Sequence, residues 1–361
     1  MRQKGIYSIL IIGTLLTSGC RNTGREEPFR LHGEAQGTYY SIIYYDTLQR
    51  DMRHDIDSLL DAFDMTASLW NEESLLRQVN DNHDSIVNQD FANLVEISRT
   101  MYDHSGGTFD CTVGKLVNAW GFGFAKREEM TDQKIDSLLQ YVGQQPTIIN
   151  DDNGRLIVRK ATPESSIDFN AVAQGYSTDM VCKYFDSQGI SDYLVDIGGE
   201  VYAKGNKADG TAWSVGIERP AENMYSSPEV ETTIELRDMA VVTSGNYRKY
   251  YEKDGIRYSH TIDPHTGRPV EHTLLSVTVV DRKTWRADAM ATAFMVMGLE
   301  RAKQFIADHA DDPGTQAVFF IYGDKEGYKT YATEGFKELV KKTKSRKSRE
   351  SRPSRESGSS R

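Results

Sequence analysis

An acid and a hydroxyl stand four residues apart, as Asp288 and Thr292, in the stretch WRADAMATAFMVMG that begins at Trp285. At helical spacing they lie one turn apart on one face, and Met290, Phe294, Met295 and Met297 supply apolar surface around them. A carboxylate in such surroundings needs a partner. Arg286 is one candidate. A hard cation held by the carboxylate, the hydroxyl and a backbone carbonyl from elsewhere is another, and a carboxylate serving only the helix start is a third.

A second knot of functional groups falls in YSHTIDPHTGRPV, where Ser259, His260, Asp263, His265 and Thr266 lie within eight residues. An imidazole titrates near neutral pH, so His260 suits proton transfer. Asp263 either orients His260, acts itself, or caps the Asp-Pro turn. The two histidines lack the HExxH helix or the cysteines that zinc sites use. In SGGTFDCTVGKLVNAWGFG, from Ser105, two glycines and a Phe-Asp pair form either a turn whose amides meet an anion or flat ring, or an ordinary tight connection. Trp70, in SLWNEESLLRQVN, stands where a helix gives way to a loop and reads as a core plug or a stacking platform.

These groups need elements to hold them. Met52–Leu69 and Asn88–His104 carry apolar residues at helical spacing, and Lys134–Tyr141 reads as a third helix. The segment 31–45 is aromatic and β-branched with glycines at 33 and 37, which suggests strands broken by a bend. TIIN and RLIVRK flank a turn at 151–154 and read as a hairpin. SSIDFNAVAQGYSTDMVCKYFDSQG reads as a strand ending at Asp168, a connection at Asn170 and Ala171, and a helix closing near Gly189, a junction that favours phosphates. Tyr193–Lys204 and Trp213–Glu218 read as neighbouring strands, with Gly198 and Gly199 allowing close approach. Further strands are expected at Glu231–Leu236, Ala240–Thr243, Leu275–Val280 and Ala317–Tyr322, and a helix around Ala302–His309. Helices and antiparallel strands interleave without clean βαβ units, so the expected fold class is α+β.

At 361 residues the chain can bury a core without disulfides. Its net charge is −10 although residues 341–361 hold nine Lys or Arg against two Glu, so the body is more acidic than the total. An acidic body argues against nucleic acid as a partner. Arg2 and Lys4, the apolar run Ile6–Leu16 and small residues before Cys20 read as an export signal over 1–19 with lipidation at Cys20, although Thr17 stands where a lipobox carries Leu. Residues 20–28 then tether a body spanning 29–340, and the Ser/Arg-rich 341–361 is expected to be disordered. Cys111 and Cys182 read as small buried hydrophobes, with a disulfide left open by export.

Nine stretches in order resemble the ApbE family of flavin transferases: GTYY at 37, SLWNEESLLRQVN at 68, SGGTFDCTVGKLVNAWGFG at 105, IDFNAVAQGYSTD at 167, LVDIGGEV at 194, WSVGIERP at 213, VVTSGNYR at 241, YSHTIDPHTGRPV at 258 and ADAMATAFMVMG at 287. The resemblance spans about Gly33 to Tyr331 and implies a single catalytic domain with an FAD cleft between largely antiparallel sheets and packed helices. It implies Mg²⁺ on the FAD diphosphate, held by Asp288, Thr292 and the carbonyl of Ala171, an oxygen set that suits this ion. It also implies that Trp70, Thr108, Phe109, Asp110, Gln174 and Ile262 contact the dinucleotide, with His260 and Asp263 as catalytic groups. The implied reaction moves FMN from FAD onto a Thr or Ser of a target protein, releasing AMP. The implied partners are exported, membrane-bound electron-transport subunits, met by a lipid-anchored periplasmic enzyme. The alternatives are an FAD pyrophosphatase, in which water attacks, and a flavin-binding lipoprotein without turnover. The sequence departs from the family pattern at Gln174 (often Lys), Gln36 (often Met) and Cys111 (commonly Pro), and in its tail.

Overall fold

The computed structural model describes residues 27–220, 229–246, 250–253, 256–324 and 327–341. The export signal, Cys20, most of the tether and all of the tail past residue 341 lie outside these residues.

Eight strands make one sheet, in the order Phe29–Ala35, Thr38–Tyr44, Tyr193–Ile197, Glu200–Lys204, Met239–Gly245, Leu274–Asp281, Ala317–Asp324 and Gly327–Ala332. Every neighbouring pair is antiparallel, so the fold is α+β as expected. Both faces of the sheet are covered. Val242, Val277, Val279 and Phe320 point to a core shared with the helices Gln89–Ser105, Ala173–Ser187 and Thr284–Asp308. Val241, Val280, Phe319 and Ile321 point the other way, to a core closed by the hairpin Trp213–Arg219/Glu229–Leu236 and by Phe336 of the helix Glu334–Leu339. This is why LLSVTVVD is buried almost throughout: each side of the pleat meets a core.

Two tight turns set the sheet's register. Gln36 and Gly37, at φ 52° and 72°, close the first hairpin, and Gly198 and Gly199, at φ 68° and 112°, close the second across Ile197 and Glu200. The expected helices appear as Arg53–Ala67, Gln89–Ser105 and Asp132–Leu139, and the expected hairpin as Thr147–Asn150 against Leu156–Arg159.

Two sequence expectations are corrected. The run before Asp168 is not a strand. Its backbone is satisfied instead by the Asn80 side chain, whose Oδ1 accepts from Ile167 N–H and whose Nδ2 donates to Ile167 O (both 2.8 Å), and by Cys111 O, which accepts from Asp168 N–H at 2.7 Å. Trp213–Arg219 does not neighbour Tyr193–Lys204 in the sheet; it pairs with Glu229–Leu236 in a two-stranded sheet laid across the second face. The helix expected around Ala302 follows the Asp288 helix as read: the run Thr284–Asp308 is two helices meeting at a break where Gly298 takes φ 72° and ψ 171°. The His272 ring packs where a Gly298 side chain would lie, and its Nε2–H donates to the Met295 carbonyl at 2.7 Å, a group the break would otherwise strand. Cys111 and Cys182 are both buried free thiols, in different apolar clusters.

Candidate active site

The helices Ala173–Ser187 and Thr284–Asp308 touch backbone to backbone. A side chain on Gly175 would meet Thr284 O at 2.7 Å and Trp285 Cα and Asp288 Cβ at 2.8 Å, so only glycine permits this approach. The contact places Gly175 N–H on Asp288 Oδ2 at 3.0 Å. That amide lies in the first turn of the helix Ala173–Ser187, where N–H groups have no partner within the helix, so Asp288 satisfies it. Ala171, just before this helix, and the buried Asp288 both border one cavity. Arg286, the alternative partner, is occupied elsewhere: it forms a two-pronged pair with buried Asp281 at 2.7 and 2.9 Å. Among the described residues Gly175 is the single donor to Asp288, and burial pushes its carboxyl up to about 7.

The cavity has a volume of about 1230 Å³. Ala171, Asp288 and Thr292 line it, together with Trp70, Thr108, Phe109, Asp110, Gln174, His260 and Ile262. Ten of the eleven site residues read from the sequence within the body therefore converge on one space, drawn from five separated segments. Trp70 is 59% exposed, which excludes a core plug and leaves a free ring face at the cavity wall. Its loop is fixed from below: the Ser68 carbonyl accepts from Ser74 Oγ at 2.6 Å, and Ser74 caps the helix Leu75–Asn80 through Arg77 N–H at 3.1 Å. Phe109 is buried, and Ser105 Oγ accepts from its N–H at 3.0 Å.

Asp110 borders the cavity but is also a structural anchor. Its carboxylate accepts from Thr112 N–H and Oγ1 at 2.7 Å, from Gln145 Nε2 at 2.6 Å and from Gly143 N–H at 2.9 Å, tying the loop 108–112 to 143–145. Asp263 is the residue the structure keeps out of the cavity lining. It accepts from His265 N–H at 2.9 Å and faces the His265 ring nitrogen at 3.2 Å, while His265 Nε2 donates to Gly106 O at 3.2 Å. Asp263 thus closes its own turn and fastens it to the glycine loop. His260 lines the cavity without it, edge-on to Phe122 with ring centroids 6.4 Å apart.

Residues 36–319 match the ApbE family. The chain belongs to the ApbE family. The FAD:protein FMN transferase of Vibrio cholerae is 35% identical over 345 residues, which cover 93% of this chain and 99% of that protein. Its counterpart in Escherichia coli is 32% identical, covering 92% and 96%. Among solved structures, the flavin transferase ApbE from Vibrio cholerae superposes with a TM-score of 0.74 at 34% identity, over 87% of this chain and 99% of that one. The apo form of the Pseudomonas stutzeri flavinyl transferase ApbE gives 0.75 at 31%, over 88% and 98%.

Beyond the residues that sequence reasoning assigned, the ApbE cavity of this chain holds a ring of further carboxylates. Asp168, Asp196, Glu200 and Glu218 all border it. Burial raises Asp168 to about 6, and burial aided by neighbouring Glu218 raises Asp196 to about 6. The signal for Asp196 and Glu200 was present in LVDIGGEV, where two acids bracket a glycine turn; Glu218 carried none, because its strand enters the cavity only through tertiary packing. Gln174 Nε2 lies 2.5 Å from where a Gly198 side chain would stand, so the second glycine turn closes directly over this amide.

Proposed function

We propose that this protein transfers FMN from FAD to a Thr or Ser hydroxyl of a target protein, using Mg²⁺ and releasing AMP. Membership of the ApbE family makes it a transferase, and its relatives are named for FAD and FMN. The observation that carries the metal-dependent reading is buried Asp288, held by one amide and facing the same cavity as Ala171 and Thr292. A carboxylate, a hydroxyl and a carbonyl suit a hard cation that takes its remaining ligands from phosphate and water. The ring of acids supports it too, since an anionic diphosphate entering beside these carboxylates needs a countercharge.

Asp288, Thr292 and the Ala171 carbonyl would hold the ion, which when bound polarises the diphosphate and offsets charge on the departing phosphate. Trp70 offers a ring face for stacking, and buried Phe109 and Ile262 supply apolar wall. Gln174 donates amide N–H bonds where a cation would stand in many relatives. His260 takes the proton from the acceptor hydroxyl as its oxygen bonds to the FMN-side phosphorus. The bond from that phosphorus to the bridging oxygen breaks, and AMP leaves with the electron pair. The same reading anchors the enzyme through lipid at Cys20 on the periplasmic side, with membrane electron-transport subunits as acceptors; its support is the pattern of residues 1–20.

The test incubates purified residues 21–361 with FAD, Mg²⁺ and an exported flavoprotein subunit lacking its flavin, following AMP and acceptor mass. FMN on a Thr or Ser, appearing with AMP and abolished by EDTA, is expected. AMP and free FMN without acceptor modification would replace transfer by hydrolysis, and FAD binding without AMP would leave a flavin-binding protein.

A further inference from the structure

Among the described residues the strand Trp213–Arg219 pairs on one side only, with Glu229–Leu236. Its register sets Gly216 opposite Thr233 and Ser214 opposite Glu235. The Thr233 carbonyl is turned the other way, where it accepts from Lys341 N–H at 2.8 Å beside the bridge between Ile234 and Val340. In an antiparallel ladder two residues facing each other either exchange both backbone bonds or both turn away. Gly216 therefore points its N–H and C=O out of the hairpin, away from Thr233, and Ser214, two residues along, does the same. Among the described residues these outward groups meet no hydrogen-bond partner.

That open edge faces the active site. Ser214, Val215, Gly216, Ile217 and Glu218 all border the cavity. Side chains alternate along a strand, so five consecutive residues can border one space only if the edge is turned toward it. Gly216 is exposed, and an added side chain would meet nothing closer than Val230 at 3.4 Å. Packing within the chain does not require glycine there.

We propose that the acceptor protein enters as an extended segment that adds a strand to this edge, pairing its main chain with Ser214 and Gly216 and so presenting its Thr or Ser to Asp288 and Thr292. The inference rests on the transferase reading above and names how its protein substrate is held. A row of outward N–H and C=O groups along a strand matches a polypeptide, whose own groups alternate at the same spacing; a dinucleotide has no such row. The edge and the metal-ligand set border one cavity, so a segment docked there needs no second path to the reacting phosphorus. Because pairing is through the backbone, the acceptor must offer an extended loop or terminus rather than a folded surface.

Gly216→Pro removes the outward N–H but no bond of the hairpin ladder, a place where edge strands tolerate proline. With the acceptor subunit of the transfer assay, its KM for acceptor should rise about tenfold, the worth of a lost backbone bond, while its KM for FAD moves less than about twofold. Gly216→Ala, which keeps the N–H, should bring the acceptor KM back to within about twofold of the parent. A change confined to the KM for FAD would assign the edge to the dinucleotide, and an altered oligomeric state by sedimentation would assign it to a second copy of the chain; either overturns the proposal. If the proline variant misfolds, the parent enzyme decides with a short peptide carrying the acceptor Thr or Ser, N-methylated at alternate amides. Loss of modification from one set of alternate positions and not the other supports strand pairing. Equal effects of both sets overturn it, and an unmodified peptide and acceptor in the parent reaction would instead defeat the transferase reading.

Discussion

Asp288 is an expensive residue to bury without a cation. A carboxylate removed from water and given one amide donor shifts toward its neutral form, as its rise to about 7 records. Asp288→Asn keeps an oxygen for Gly175 N–H and discards the charge. Turnover should fall on the order of 100-fold or more, as when a preorganised electrostatic contact is deleted, while the melting temperature without metal stays level or rises. A lower melting temperature with intact turnover would show that the carboxylate serves the fold. His260 makes a different prediction, since a base acts on the proton rather than on FAD affinity. His260→Ala should lower kcat about 100- to 10,000-fold with the Kd for FAD changed little, read by single-turnover kinetics beside flavin fluorescence titration. Equal losses in both would remove His260 from the proton-transfer role. Asp263 separates from it here: its bonds to His265 make it a turn residue, so its loss should act through the loop that carries Gly106.

Two features of helix packing build the site, and neither lies in the reacting groups. Gly175 lets the helix Ala173–Ser187 lie against the start of Thr284–Asp308 closely enough for its amide to reach Asp288. The atoms an added methyl would strike are backbone or a short side-chain carbon, with little freedom to yield. Gly175→Ala should therefore destabilise the protein by about 1–3 kcal/mol and reduce metal affinity together, measured by denaturant unfolding and by metal-dependent turnover. An unchanged unfolding midpoint would mean the helices separate without cost. The second feature is the break at Gly298, between the apolar helix that borders the cavity through Thr292 and a second helix whose Phe305 packs back against the same core. His272 completes it by bonding the freed Met295 carbonyl.

For the whole molecule, that histidine gives stability a pH dependence. Burial lowers the His272 pKa below its ordinary value, and Nδ1 is buried without a hydrogen-bond partner, so the folded state holds the ring neutral. The unfolded chain then binds the proton more readily, and the contribution of neutral His272, complete above about pH 6.5, is lost as the pH falls. The melting temperature should drop on acidification through this range, and His272→Gln should flatten the slope; an identical slope in the variant would place the dependence elsewhere, for example at His104, which burial also lowers. The sequence alone carried the candidate site residues and most elements, because period and turn chemistry are local: Asp288 and Thr292 share a helix face whatever that helix packs against. It could not choose between Arg286 and a cation for Asp288, or between orienting and capping for Asp263, since each depends on which distant group arrives. Nor could it place Trp213–Arg219, whose alternation fits any sheet. Tertiary structure gives Arg286 to Asp281 and Asp263 to His265, and sets the strand Trp213–Arg219 along the cavity. Burial and pairing between segments far apart in sequence are properties of the packed chain, whereas side-chain spacing within one element is already present in the order of residues.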